Sequence, residues 1–147
     1  MKEDPKERQY LRSLKYLASG FENIIIHEPL PYSEIVKEIS HYDLGVYMLR
    51  PIDYQTEFAL PNKLFEFIQA RLGVVVSPQR AMKEFVEENG IGIVTDDFDG
   101  ESLSKALENL RVEDVLQFKI NSHKIASFLC AENFKEHFLN ILEEIQR

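Results

Sequence analysis

The chain has 147 residues, 44% of them hydrophobic, with a formal charge of −8 and a single cysteine. That length holds one domain with a real core, and that apolar fraction excludes a disordered chain. The acidic balance, with no cluster of Lys and Arg to offset it, excludes nucleic acid and anionic membrane as general partners, and a lone Cys130 excludes an internal disulfide or a cysteine-built zinc site.

The pattern begins with a helix over Pro5–Ala18, where Tyr10, Leu11, Leu14 and Leu17 recur at helical spacing and Ser19-Gly20 stops them. Residues 23–28 predict a strand built on Ile24, Ile25 and Ile26. Pro29-Leu30-Pro31-Tyr32 then turns into a helix expected to be capped by Ser33, with Ile35, Val36 and Ile39 facing inward. Residues 43–49 form a near-continuous apolar strand, the pattern of a strand covered on both faces of a parallel sheet. A polar loop over 50–59 carries Asp53, Tyr54, Gln55, Thr56 and Glu57 and leads to a helix opening at Pro61. A strand follows at 73–77, then a helix over about 79–88 closed by Asn89-Gly90, a fourth strand at 91–95, and the acidic turn Asp96-Asp97-Phe98-Asp99-Gly100. The rest reads as helical, with Leu103, Leu107 and Leu110 on one helix and Phe134, Phe138, Leu139, Ile141, Leu142 and Ile145 on the last. No repeat, low-complexity tract or linker interrupts it. Strands alternating with helices predict βαβ units: an α/β fold, Rossmann-like, with a parallel sheet of about four strands flanked by helices. Ligands of such sheets bind outside the carboxyl ends of the strands. The loop after Leu49 and the helix start at Pro61 both belong to that end.

The helix start carries the chemistry. Proline suits a first helical position because its φ is already helical and its missing N–H has no intrahelical partner there. Behind it, the N–H groups of Asn62, Lys63 and Leu64 are expected to point out of the helix end beside the positive pole of the dipole, with Lys63 adding a full charge; such an end attracts phosphate. Glu66, one turn on, shares the face of Asn62 and Lys63, so its carboxylate can accept hydrogen bonds from sugar hydroxyls. The plainer alternative is a Pro-initiated helix whose Lys63 and Glu66 lie on a solvated face.

Leu60-Pro61-Asn62-Lys63-Leu64-Phe65-Glu66-Phe67, the Val75-Val76-Ser77 strand end, and Met82-Lys83-Glu84-Phe85-Val86 with Asn89-Gly90-Ile91-Gly92, in that order, resemble the C-terminal, donor-binding domain of glycosyltransferases with the GT-B fold, of the large group 1 type acting on nucleotide-activated sugars. The resemblance covers roughly residues 23–110. It implies that Leu60, Pro61, Asn62, Lys63 and Leu64 hold the donor diphosphate, that Glu66 binds the ribose hydroxyls, and that the fold is half of a GT-B enzyme transferring sugar to an acceptor hydroxyl. Two readings stand beside it: a nucleotide-sugar epimerase fragment, and a non-catalytic nucleotide-sugar binding or interaction module.

The family's second glutamate, which contacts the transferred sugar eight positions before the one matching Glu66, is here Phe58, leaving Glu57 as the candidate sugar contact. Arg71 and Gly73 stand where the family commonly has glycine and proline, and Arg71 is expected as a surface cation near the negative end of its helix. The family's donor domain also starts with two further strands and follows an acceptor-binding domain. Here the pattern starts at the helix before the third strand, so the missing acceptor domain is an expected partner. The strand at 23–28 would then be an exposed sheet edge, to be covered by residues 1–20 or paired in a homodimer. No catalytic residue is assigned to this half, and no cofactor or metal is expected.

Other chemistry is thin. His27, His41, His123 and His137 lack metal-ligand spacing, and the Asp96, Asp97 and Asp99 turn lacks the ligand pattern of a calcium loop. There is no P-loop, Gly-x-Gly-x-x-Gly, His-Glu-x-x-His or nucleophile elbow. No apolar run approaches the roughly 18 residues of a membrane span, the charged start lacks the apolar segment of a signal peptide, and the expected location is the cytoplasm.

Overall fold

Three consecutive valines, Val74, Val75 and Val76, have no solvent-accessible surface and mark the centre of the fold. They belong to β2 (Gly73–Val76), flanked by β1 (Leu44–Tyr47) and β3 (Gly92–Val94) in a parallel sheet of order β1-β2-β3. Leu44 pairs with Gly73, and Val75 sits between Val46 and Ile93. The computed structural model describes residues 5–145, apart from the side chains of residues 5–7, 131, 136, 137 and 143. His137 therefore falls outside the described side chains. The helices are α1 (Pro5–Ala18), α2 (Tyr32–Ile39), α3 (Tyr54–Glu57), α4 (Asn62–Gln69), α5 (Arg80–Asn89), α6 (Gly100–Glu108), α7 (Val112–Ala126) and α8 (Ala131–Ile145). Two units divide the chain, residues 1–32 and residues 33–147.

In the first unit α1 ends in a turn where the Phe21 amide bonds the Ala18 carbonyl, and Lys15 Nζ meets Glu28 Oε1 at 2.7 Å. That ammonium holds the Glu28 carboxyl below its usual range. The expected strand at 23–28 does not form, so the described sheet has three strands instead of four. The reason is the absence of a neighbour. β-branched residues favour a pleated, half-buried surface, but a strand exists only as part of a hydrogen-bonded ladder, and Ile24 and Ile25 stay exposed. β1 is therefore an end strand of the described sheet.

In the second unit the links β1–α4–β2 and β2–α5–β3 both advance the sheet in one direction. Right-handed crossovers then place α4 and α5 on one face. There Leu64 and Ile68 of α4 and Met82 and Val86 of α5 enclose Val74 and Val76, the main hydrophobic core; burying each such side chain contributes about 1.5–3 kcal/mol. β1 departs from expectation: its apolar run is that of an edge strand, with Val46 43% exposed. Gly45 is required beside α4, because a Cβ there would collide with the ring of Phe67.

α7 closes the amino end of the sheet. Lys119 Nζ donates to Tyr42 O and Asp43 Oδ1 ahead of β1, Ser122 Oγ to Leu72 O ahead of β2, and Asn121 Nδ2 to Gly90 O ahead of β3. Gln69 Nε2 reaches back to Ala126 O and Leu129 O. The carboxyl end of the sheet is left for the loops.

Both core helices stop with the same pair of hydrogen bonds. At α5, Gly90 N bonds Glu87 O and Ile91 N bonds Val86 O, with Gly90 in the left-handed region at φ 58°. At α4, Arg71 N bonds Ile68 O and Leu72 N bonds Phe67 O, with Arg71 at φ 66°. The guanidinium of Arg71 donates to Gln69 O at 2.6 Å and Ile68 O at 3.2 Å, and Nε to His123 Nδ1 at 3.2 Å. It is the expected cation at the negative end of the helix.

α2 begins at Tyr32, so Ser33 lies inside the helix instead of capping it. The acidic turn is a cap: Asp99 Oδ1 accepts from Ser102 N at the start of α6, and that N–H holds its carboxyl below the usual value. Asp96 pairs with Lys105 at 2.8 Å. Phe134, Phe138, Leu139 and Ile145 of α8 are exposed.

Candidate functional site

The site is built at the carboxyl end of the sheet. Ser77, fully buried just past β2, donates from Oγ to Leu49 O and accepts from Leu49 N, so one hydroxyl prolongs the β1–β2 ladder beyond its last backbone pair. Arg50 leaves β1 across the mouth, its guanidinium 5.5 Å from the Phe98 ring centroid and Nη2 3.8 Å from Asp97 Oδ1.

The segment expected as a plain polar loop contains α3. Asp53 Oδ1 accepts from Thr56 N at 2.7 Å, and Thr56 Oγ1 accepts from Asp53 N, a reciprocal cap that starts a helix even from a single turn. The Thr56 N–H also holds the Asp53 carboxyl below its usual value. From the start of α5, Gln79 Nε2 donates to Thr56 O and Arg80 N donates to Glu57 Oε1 at 3.3 Å. Glu57, the candidate sugar contact, thus lies against the first amide of α5. Gln79 is 2% exposed and its Oε1 has no partner.

α4 starts one residue later than its proline suggested. Pro61 is the N-cap, with an extended ψ of 150°, and the helix proper begins at Asn62. The Pro61 carbonyl accepts from Leu64 N at 3.0 Å, which removes the third of the three expected donors. The amides of Asn62 and Lys63 remain without an acceptor among the described residues, and neither Lys63 Nζ nor the Glu66 carboxylate has a hydrogen-bond or ion-pair partner there. The apolar members are structural as side chains: Leu64 is 1% exposed and Leu60 packs on the core. Asn62 and Lys63 face solvent, and Glu66 is half-buried.

The start of α4 thus presents two unpaired N–H groups, a cation on the second residue and a carboxylate one turn deeper, and a helix end of that kind attracts anions in general. A cavity of about 520 Å³ lies elsewhere, between Ile93 of β3, Ala106 of α6, Asn109 just after it and Phe118 of α7, and shares no residue with α4 or the loop before it. Its polar groups are already engaged, Lys105 with Asp96 and Asp114 with Arg111. A family model described as glucosyltransferase 3-like, C-terminal domain, matches residues 13–141. The chain belongs to that family. A glucosyltransferase 3-like C-terminal domain is a glycosyltransferase domain, and the α4 start, the ordered α3 and the sheet mouth all fall inside the matched span. No curated protein and no solved structure matches the chain.

The residues that sequence reading missed are Ser77 as a ladder extension, Gln79 and Arg80 as anchors of α3, and the Asp53/Thr56 cap. Only the cap had a signal, an Asx three residues ahead of a hydroxyl residue. Among the described residues no group of three His, Cys, Asp or Glu side chains comes together to hold a metal ion, and no helix is long and apolar enough to cross a membrane.

Proposed function

We propose that this glucosyltransferase 3-like domain binds a nucleotide diphosphate sugar at the start of α4, as the donor half of a GT-B enzyme of the group 1 type in the cytoplasm. The observation that carries the reading is the pair of unpartnered amides at Asn62 and Lys63 with the free Lys63 ammonium beside them. These groups hold the diphosphate, with Leu60, Pro61 and Leu64 supplying the backbone that shapes the helix end. Glu66 accepts hydrogen bonds from the ribose hydroxyls, and Glu57 approaches the transferred sugar.

As the glycosidic bond breaks, negative charge grows on the leaving diphosphate. Fixed N–H dipoles and Lys63 stabilise that charge more than the charge of the intact donor, and only such a difference speeds the step. The acceptor hydroxyl is positioned by a separate acceptor-binding domain, for which the exposed apolar residues of α8 offer a docking surface. A second copy pairs along an end strand of the sheet to form a dimer. The reading is tested by calorimetric titration of a nucleoside diphosphate and its 2′,3′-dideoxy counterpart against the parent and Glu66→Ala. The parent prefers the hydroxylated nucleotide by about tenfold, one charge-assisted hydrogen bond's worth, and the variant loses that preference. Equal affinities in the parent overturn the ribose assignment.

A further inference from the structure

α3 is more firmly held than its own side chains explain. A single helical turn is unstable alone, and α3 buries no side chain; Ile52 before it is 88% exposed and Tyr54 at its first position 78% exposed. Yet the turn is fixed from every side. Asp53 and Thr56 cap it reciprocally, Thr56 Oγ1 also accepts from Ile52 N, the buried Gln79 amide holds Thr56 O, and Arg80 N holds Glu57. Underneath, the Arg80 guanidinium lies 5.3 Å from the Phe58 ring centroid, and Phe58 lies 4.5 Å from the ring of Tyr54 at a 34° tilt. Phe58 thus meets both a cation and a second ring at the carboxyl end of the sheet, and that second ring, Tyr54, is open to solvent.

We propose that the outer face of Tyr54 is a platform for a pyranose ring of the glycosyl-transfer reaction. A π-face is electron-rich and attracts the weakly positive C–H groups on the flat side of a sugar, while the sugar's hydroxyls stay at the ring edge. On the same short helix Gln55 and Glu57 carry an amide and a carboxylate, donors and acceptors of the kind a polyol needs. Prior ordering matters because a ring fixed before the ligand arrives loses no side-chain freedom on binding. The occupant is a sugar because the domain is glucosyltransferase 3-like and the two rings lie on the segment that leads from β1 into α4, whose start is assigned to the donor diphosphate. The inference rests on that assignment for its place in the reaction; the contact itself can be measured without it.

The experiment follows the Tyr54 ring protons by NMR in the full chain, titrated separately with UDP, UDP-glucose and methyl β-D-glucopyranoside. A shift with UDP-glucose beyond that with UDP identifies the donor sugar as the occupant, and a shift with the methyl glucoside alone identifies an acceptor sugar. Tyr54→Ala weakens the sugar-dependent part of binding about tenfold, and Tyr54→Phe retains it, which separates the ring face from the hydroxyl. Unmoved Tyr54 protons in all three titrations, or sugar binding unchanged in a folded Tyr54→Ala, overturn the platform. Silence of the Asn62 and Lys63 amides with UDP, together with a Tyr54 response to the methyl glucoside, refutes the diphosphate assignment and leaves the platform standing.

Discussion

Removing the charge of Lys63 should weaken nucleoside diphosphate binding about tenfold, while removing that of Arg71 should leave it within about twofold. Lys63 sits in the first turn of α4 and Arg71 just past its last, and α4 spans eight residues, or about 12 Å at 1.5 Å per residue. A phosphate bound at the Asn62 and Lys63 amides and paired with Lys63 Nζ is taken at an ion-pair distance of about 4 Å. Bare attraction there is about 4 kcal/mol at an effective dielectric of about 20, which shrinks to about 1–1.5 kcal/mol once the hydration and freedom of an exposed lysine are counted. At about 12 Å through water the same law gives about 0.3 kcal/mol, and a Debye length of about 8 Å reduces it below about 0.1 kcal/mol. Arg71 is also turned away, bonded to Gln69 O and Ile68 O at the negative end of the helix. The assay is calorimetric or NMR titration of Lys63→Met and Arg71→Gln at physiological salt, with circular dichroism to show that both fold. Equal losses in the two variants, or no loss in Lys63→Met, refute the placement of the anion at the start of α4.

Ser122→Ala removes the buried donor to Leu72 O and should cost about 1–3 kcal/mol, read as a lower denaturant midpoint at unchanged slope; an unmoved midpoint would show that α7 does not brace the sheet there. Asp53 and Asp99 have carboxyl groups held below their ordinary value of 3.8 by the N–H groups they cap. Their contribution is therefore fully present above about pH 4 and is lost only as pH falls through the lower folded values, so Asp53→Asn and Asp99→Asn should match the parent's acid unfolding more closely below pH 3.8 than above it. The chain alone should turn over no nucleotide sugar, because one half of a two-sided site cannot orient both reactants; turnover above that of a Lys63→Ala, Glu66→Ala control would contradict this.

The parts of the fold that depend on local pattern could be read from the chain, and those that depend on a neighbour could not. The buried run Gly73-Val74-Val75-Val76 and the amphipathic α4 and α5 around it follow from periodicity alone. Ile24-Ile25-Ile26 has equally strong strand composition but no adjacent strand to complete its ladder. The similar run at β1 became an edge for a related reason: burial of a second face depends on what the rest of the chain places there. Gly90 announced its left-handed turn by being glycine, whereas Arg71 makes the same turn with a side chain that gives no such signal and compensates by bonding the helix carbonyls. α7 could be read as helical but not as the brace of the amino end, since Lys119, Asn121 and Ser122 reach targets 31 to 77 residues away. At the start of α4 the free amides of Asn62 and Lys63 could be read from the chain because a helix start has fixed donors, whereas the pairing of Leu64 N with Pro61 O could not. The tie from Gln79 to Thr56 could not be read either, because it joins residues 23 apart in a part-buried contact.

The central claim, that α4 receives the diphosphate of a nucleotide sugar, is tested most directly by mapping backbone amide shifts in the full chain during titration with UDP-glucose and ADP-glucose. Affinity is expected at about the millimolar level, roughly −4 kcal/mol. The account predicts that the first and largest shifts fall on Asn62 and Lys63, with Glu66 following; shifts clustered instead on Ile93, Lys105 and Phe118, around the cavity beside β3, would contradict it.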